Sequence, residues 1–140
     1  MNHRRIEGDG LRTTYAYAPR VTVTVTRDGP TNVRLEFGSS PVYRDNEEFI
    51  VTIVSCERVV EYDWNDFEFH RLPGNSKDAE LGLIEITDSS LIAEIMSTGR
   101  YAGAVLHHLR MTFDDHGTYD IICEKFTISY VRSTDRDLYP

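Results

Sequence analysis

The sequence predicts a mainly β domain of the α+β class: an antiparallel sandwich or strongly curved sheet of about seven strands, with one short helix near residues 89–98. Three observations lead there. Apolar and polar residues alternate with period two through much of the chain, the spacing that turns one face of a strand inward and the other outward. Clusters of Gly, Pro, Asn and Asp break these runs where hairpins need turns. One segment carries the apolar stripe of an amphipathic helix. The 140 residues suit a single domain over 1–140, with no internal repeat, low-complexity block or linker to divide it.

In chain order, RVTVTVTRDG places Val21, Val23 and Val25 on one face and Thr22, Thr24 and Thr26 on the other, a half-buried strand that Asp28-Gly29-Pro30 ends. NVRLEF resumes with Val33, Leu35 and Phe37 inward and Arg34 and Glu36 outward, so the two runs form an antiparallel pair. Upstream, RTTYAYA is compatible with a long first strand that has Pro19 at an edge or bend. After the loop GSSPVYRDNEE, the β-branched run from Phe49 to Cys56 is that of a central strand covered on both faces. RVVEYDWNDFEFHRL continues as a strand interrupted at Asn65-Asp66, with Phe67 and Phe69 on one side. LPGNSKDAE is a polar loop, and LGLIEIT a further strand that buries Leu81 and Leu83, with Ile84 and Ile86 as additional core candidates.

The helix begins in TDSSLIAEIMSTG. Asp88 or Ser89 accepts from the free N–H groups of its first turn, Leu91, Ile92, Ile95 and Met96 form its core-facing stripe, and Gly99 ends it.

The stretch LHHLRMTFDDHGTYDIICEKF, Leu106 to Phe126, reads as a hairpin turning at Asp114 to Gly117, with Gly117 in the left-handed conformation and Phe113 opposite Tyr119. Phe113, Met111 and Leu109 then share an apolar face with Tyr119, Ile121 and Cys123. Thr112, Arg110 and His108 share the other with Asp120, Ile122 and Glu124, and a one-residue slip would mix the two sets. The polar face reads as a solvated cross-strand ladder, His108 by Glu124 and Arg110 near Asp120, worth roughly 0.2–1 kcal/mol per pair.

That layout argues against metal and catalytic chemistry. His107 and His108 are strand neighbours whose side chains leave opposite faces, His116 lies in the turn, and no zinc-ligand spacing occurs, so no metal is expected. There is no Gly-x-Ser-x-Gly elbow, phosphate loop or His-Glu-x-x-His motif; no catalytic residue is assigned and no cofactor implied. Cys56 and Cys123 are expected as two buried free thiols rather than a disulfide, with the apolar setting of Cys123 lowering its reactivity.

Charge narrows the partners. Twenty-three acidic against 15 basic residues leave a net charge of −8, which repels phosphate backbones and anionic lipid; nucleic acid and membrane are disfavoured and a basic protein partner is favoured. No apolar run resembles a secretory signal or a membrane span, so the expected location is cytoplasmic. The most suggestive segment is ERVVEYDWNDFEFHR, where Glu61, Asp63, Asp66 and Glu68 surround Trp64 beside Tyr62. An exposed aromatic ringed by carboxylates suits docking of a basic surface; the competing reading makes Tyr62 and Trp64 core and the acids a solvated face.

The succession LIEITDSSLIAEI, HHLRMTFDDHG and TYDIICEKFTI, from Leu83 to Ile128, resembles the C-terminal half of small uncharacterised bacterial proteins, some of which are immunity partners of secreted polymorphic toxins. In these a strand leads into a Ser-headed helix, then a His-Leu/Tyr-Arg strand, an Asp-Gly turn and a closing strand ending in Glu-x-Phe. The resemblance implies non-enzymatic, tight binding of a toxin. The expected function is therefore a cytosolic acidic protein-binding module, an immunity-type inhibitor of a basic toxin or enzyme. The alternative is a small-ligand-binding protein or metal-assisted enzyme on a β-sandwich or barrel.

Overall fold

Alternation, turn residues and one break in alternation together account for the architecture. The structure, a computed structural model, describes residues 3–6, 20–39, 49–65, 82–113 and 117–133. They form β1 (His3–Arg5), β2 (Arg20–Val25), β3 (Thr31–Ser39), β4 (Phe49–Asn65), β5 (Gly82–Ile86), α1 (Ser90–Ser97), β6 (His107–Phe113) and β7 (Gly117–Ser133). The seven strands join antiparallel into one open sheet in the order β1-β5-β6-β7-β4-β3-β2. The RTTYAYA segment, Leu81, Phe67, Phe69, the polar loops and the turn residues 114–116 lie outside the described residues.

β2 and β3 meet through a turn in which Asp28 adopts φ 61 and Gly29 N donates to Thr26 O at 3.0 Å. Asp tolerates the left-handed region better than most residues. Val33, Leu35 and Phe37 are buried as expected, while the outward Arg34 and Glu36 pair at 2.9 Å. The expected burial of the valines in β2 is corrected: Val23 and Val25 are 48% and 73% exposed, because β2 is an edge strand and only Val21 reaches the core.

β4 and β7, 17 residues each, pair along their whole length from Phe49 opposite Ser133 to Asn65 opposite Thr118. Near the middle, Arg58 takes φ 54 and the register shifts between Val59 and Glu61. Core contacts on β4 step from Cys56 to Val59, and on β7 from Cys123 to Phe126, so both strands exchange their inward and outward sides at the same level. Such bulges bend a ladder.

The size of the bend follows from one ring contact. Phe37 is level, through Thr52, with Tyr130 near one end of β7, whereas Phe113 is opposite Gly117 at the other end. In a flat sheet the two would lie roughly 40 Å apart along the strands. Their rings meet edge to face at 5.0 Å. The sheet is therefore folded on itself at Arg58–Glu61, and its two halves enclose one core containing Leu35, Val54, Leu109, Met111 and Ile121. Each such side chain removed from water contributes roughly 1.5–3 kcal/mol.

The last hairpin keeps its expected faces but not its expected pairs. Phe113 stands opposite Gly117 and Tyr119 opposite Met111, a shift of two residues from the predicted register. A two-residue shift leaves every side chain on its own face, and Gly117 opens β7 rather than closing the loop. Gly117 has the anticipated left-handed φ of 87.

Helix α1 is capped by Ser89, whose Oγ accepts from Ile92 N at 3.1 Å, and ends at Gly99 with φ 76. Its stripe of Leu91, Ile92, Ile95 and Met96 is half-buried; no helix residue is fully buried, which corrects the expectation of a core stripe. The helix lies over the outer face of the β5-β6-β7 half rather than in the core.

A Cβ at Gly117 would collide with the Asn65 carbonyl oxygen and the Trp64 indole, whereas one at Gly103, at φ 84, would meet nothing within 4 Å. Gly117→Ala is expected to destabilise the fold by clearly more than the roughly 1–2 kcal/mol of left-handed strain that Gly103→Ala incurs. Urea denaturation of both variants measures the difference, and equal losses would count against the close Gly117–β4 packing.

Candidate functional site

His108 and Arg110 on β6 and Asp120 on β7 project from the outer face of the sheet, and α1 begins directly above them. The face expected to be solvated is buried: His108, Arg110 and Asp120 are 5%, 8% and 9% exposed. The reason is that the cap residue of α1 docks on it. Ser89 Oγ lies 2.7 Å from His108 Nδ1, His108 Nε2 lies 2.7 Å from Asp120 Oδ1, and Arg110 Nε donates to the same oxygen at 2.8 Å.

The ionised Asp120 sets the direction of these hydrogen bonds. Burial by itself would raise the Asp120 carboxyl, but the hydrogen bonds from His108 and Arg110 and the guanidinium charge outweigh it and hold the group below its ordinary value. Asp120 is thus a carboxylate that only accepts. His108 Nε2 carries the hydrogen, and in the neutral ring Nδ1 accepts from the Ser89 hydroxyl, which itself accepts from Ile92 N. One orientation of donors satisfies the whole chain from helix backbone to carboxylate. Among the described residues, Arg110 Nη1 is the buried side-chain polar atom without a hydrogen-bond partner.

A cavity of about 170 Å³ opens beside this chain, lined by Ser89, Ser90 and Leu91 at the helix start, by His108, Arg110 and Asp120, and by the exposed Glu61 and Asp63 of β4. Sequence reasoning missed the convergence of Ser89 with His108 and Asp120. The only signal was a capping Ser directly after a strand; which neighbouring strand it would cover depends on sheet order.

The acidic aromatic segment is divided by the sheet. Glu61 and Asp63 pair with Ile122 and Asp120 and share their outer face; Tyr62 and Trp64 pair with Ile121 and Tyr119 and share the inner one. At the margin of the core Trp64 is 48% and Tyr62 37% exposed, with Tyr62 stacked on Tyr119 at 6.3 Å. Carboxylates 61 and 63 therefore flank the strand rather than ring the indole. Asp66 and Glu68 lie outside the described residues, as does His116.

His107 and His108 do leave opposite faces. His107 Nδ1 meets Glu85 Oε2 at 2.8 Å and its ring lies edge-on to Phe126, a core-packed residue. Burial would raise the Glu85 carboxyl, yet the bonds from His107 and Arg4 bring it below its usual value. Among the described residues no three His, Cys, Asp or Glu side chains are grouped to hold a metal ion. Cys56 and Cys123 are free and buried, as expected, and the Cys56 thiol is pushed up by its hydrogen bond to Cys123 and by burial.

No known protein family, curated protein or solved structure matches the chain.

Removing the Asp120 charge leaves the buried Arg110 guanidinium uncompensated, so Asp120→Asn is expected to cost about 3–5 kcal/mol near neutral pH. Because the folded-state value lies below the ordinary 3.8, this carboxylate stabilises the fold fully above 3.8 and its contribution is lost as pH falls through the folded-state value. In urea titrations at successive pH values the wild type's advantage over Asp120→Asn should shrink in acid. A gap independent of pH would contradict the assignment.

Proposed function

We propose that the protein is an acidic protein-binding module, an immunity-type inhibitor that docks a basic toxin or enzyme on the C-terminal half of β4. The observation that carries this reading is the exposure of Trp64 and Tyr62 next to the exposed carboxylates of Glu61 and Asp63 on one strand. Trp and Tyr are the side chains that most often anchor interfaces, and carboxylates beside them attract a basic surface and set its approach. The net charge of −8 supports a basic partner and disfavours nucleic acid. Among the described residues no helix is long and apolar enough to cross a membrane, which is in keeping with a cytoplasmic inhibitor. The resemblance of Leu83 to Ile128 to toxin-immunity proteins points the same way.

The two kinds of side chain have separable roles. Charges act during approach and are screened over about 8 Å at physiological salt, whereas a desolvated indole acts in the formed complex. Against a basic protein encoded by the adjacent gene, Glu61→Lys with Asp63→Lys should slow association and weaken its salt dependence. Trp64→Ala should speed dissociation and cost about 2 kcal/mol of binding. Surface-based binding kinetics, run beside urea denaturation to correct for lost packing on Gly117, measure both. Normal association by the charge-reversed protein together with normal dissociation by Trp64→Ala would exclude this surface.

A further inference from the structure

We propose that Ser89, His108 and Asp120 form an ester-hydrolysing site in the cavity beneath α1, with Ser89 as nucleophile. The three side chains stand in the order such chemistry requires, hydroxyl to imidazole at 2.7 Å and imidazole to carboxylate at 2.7 Å. Here Nδ1 faces the hydroxyl and Nε2 the carboxylate; either ring nitrogen serves as base provided the other is held by an acceptor. Asp120 is that acceptor, and Arg110 braces it on the same oxygen.

The helix start supplies the remaining part. The first N–H groups of a helix have no partner within it. Ile92 N is taken by Ser89 Oγ and Ala93 N by Ser89 O, which among the described residues leaves Ser90 N and Leu91 N, both on residues that line the cavity. Two adjacent backbone donors beside a nucleophile, at the positive end of a helix, suit a developing oxyanion.

The reaction closes without a cofactor. Ser89 Oγ attacks the ester carbonyl carbon while His108 Nδ1 takes the hydroxyl proton, and the carbonyl π pair moves to the oxygen held by Ser90 N and Leu91 N. Collapse expels the alcohol oxygen, which receives the proton from His108, and leaves an acyl-Ser89 ester. Water then attacks that ester, giving one proton to His108; the acid departs and the proton returns to Ser89 Oγ. Ester and water become acid and alcohol. A volume of about 170 Å³ admits a short acyl group, and Glu61 and Asp63 on its wall favour a neutral or cationic alcohol over an anionic one.

The test uses the full chain with p-nitrophenyl acetate and with the covalent serine reagent diethyl p-nitrophenyl phosphate. Ser89→Asn keeps a capping side chain and removes the nucleophile. Nitrophenolate release by the wild type is expected to exceed that of Ser89→Asn by on the order of 10²-fold or more, the scale of a single positioned base. Peptide mapping should place the phosphoryl label on Ser89. Equal rates, or a label on Tyr or Lys instead of Ser89, would overturn the proposal. Should Ser89→Asn not fold, labelling of the wild type decides alone. Neither readout involves a protein partner, so the result is independent of the docking surface on β4.

Discussion

Two strands of 17 residues paired end to end make a ribbon, and a straight ribbon of that length, roughly 55 Å, has no interior. What gives this one an interior is the break at Arg58. With Arg58 in a left-handed conformation and the register shifted before Glu61, the β4–β7 ladder folds and both strands exchange faces at the same level. Two local contacts hold the corner: Arg58 N donates to Asn32 Oδ1 at 3.2 Å, and Arg58 Nε faces Glu124 at 3.6 Å. Both are exposed and individually weak. The strength of the arrangement lies in the core that the fold encloses, where Phe37 from one half reaches Phe113 from the other.

The outer face of the β6–β7 hairpin is a second layer of organisation, and a polar one. Burying His108, Arg110 and Asp120 is costly unless each donor finds an acceptor. The single direction of hydrogen bonding from Ile92 N through Ser89 and His108 to Asp120 meets that condition, and it couples a helix cap to the sheet. The short α1, with no fully buried residue, meets the sheet through this polar contact as well as through its half-buried stripe. Among the described residues, Arg110 Nη1 is the buried polar side-chain atom left outside the network.

Glu61 and Asp63 belong to both candidate surfaces. On β4 they neighbour the exposed Tyr62 and Trp64, and across the sheet they line the cavity that holds Ser89, His108 and Asp120. A strand places successive side chains on opposite faces, so one short segment serves an aromatic surface on one side and an acidic cavity wall on the other.

The strands β2 to β7, the helix with its Ser cap and Gly stop, the left-handed Gly117 and the sorting of the last hairpin into an apolar and a polar face were legible in the residues, because each depends on local spacing and backbone preference; β1, the polar run His3–Arg5, has no alternation to mark it and was not. Leu109 and Met111 against His108 and Arg110 are the clearest case: a register error of two residues left their faces unchanged. The exposure of Val23 and Val25, the burial of the polar face, and the meeting of Ser89 with His108 and Asp120 were decided by tertiary structure. Alternation states that a strand has two sides; only the order of strands in the sheet and the place where α1 lands determine which sides are covered. The corner at Arg58 is of the same kind, since a left-handed Arg has no sequence signature; its side chain stays exposed, and the bend is held by the core enclosed on its inner side.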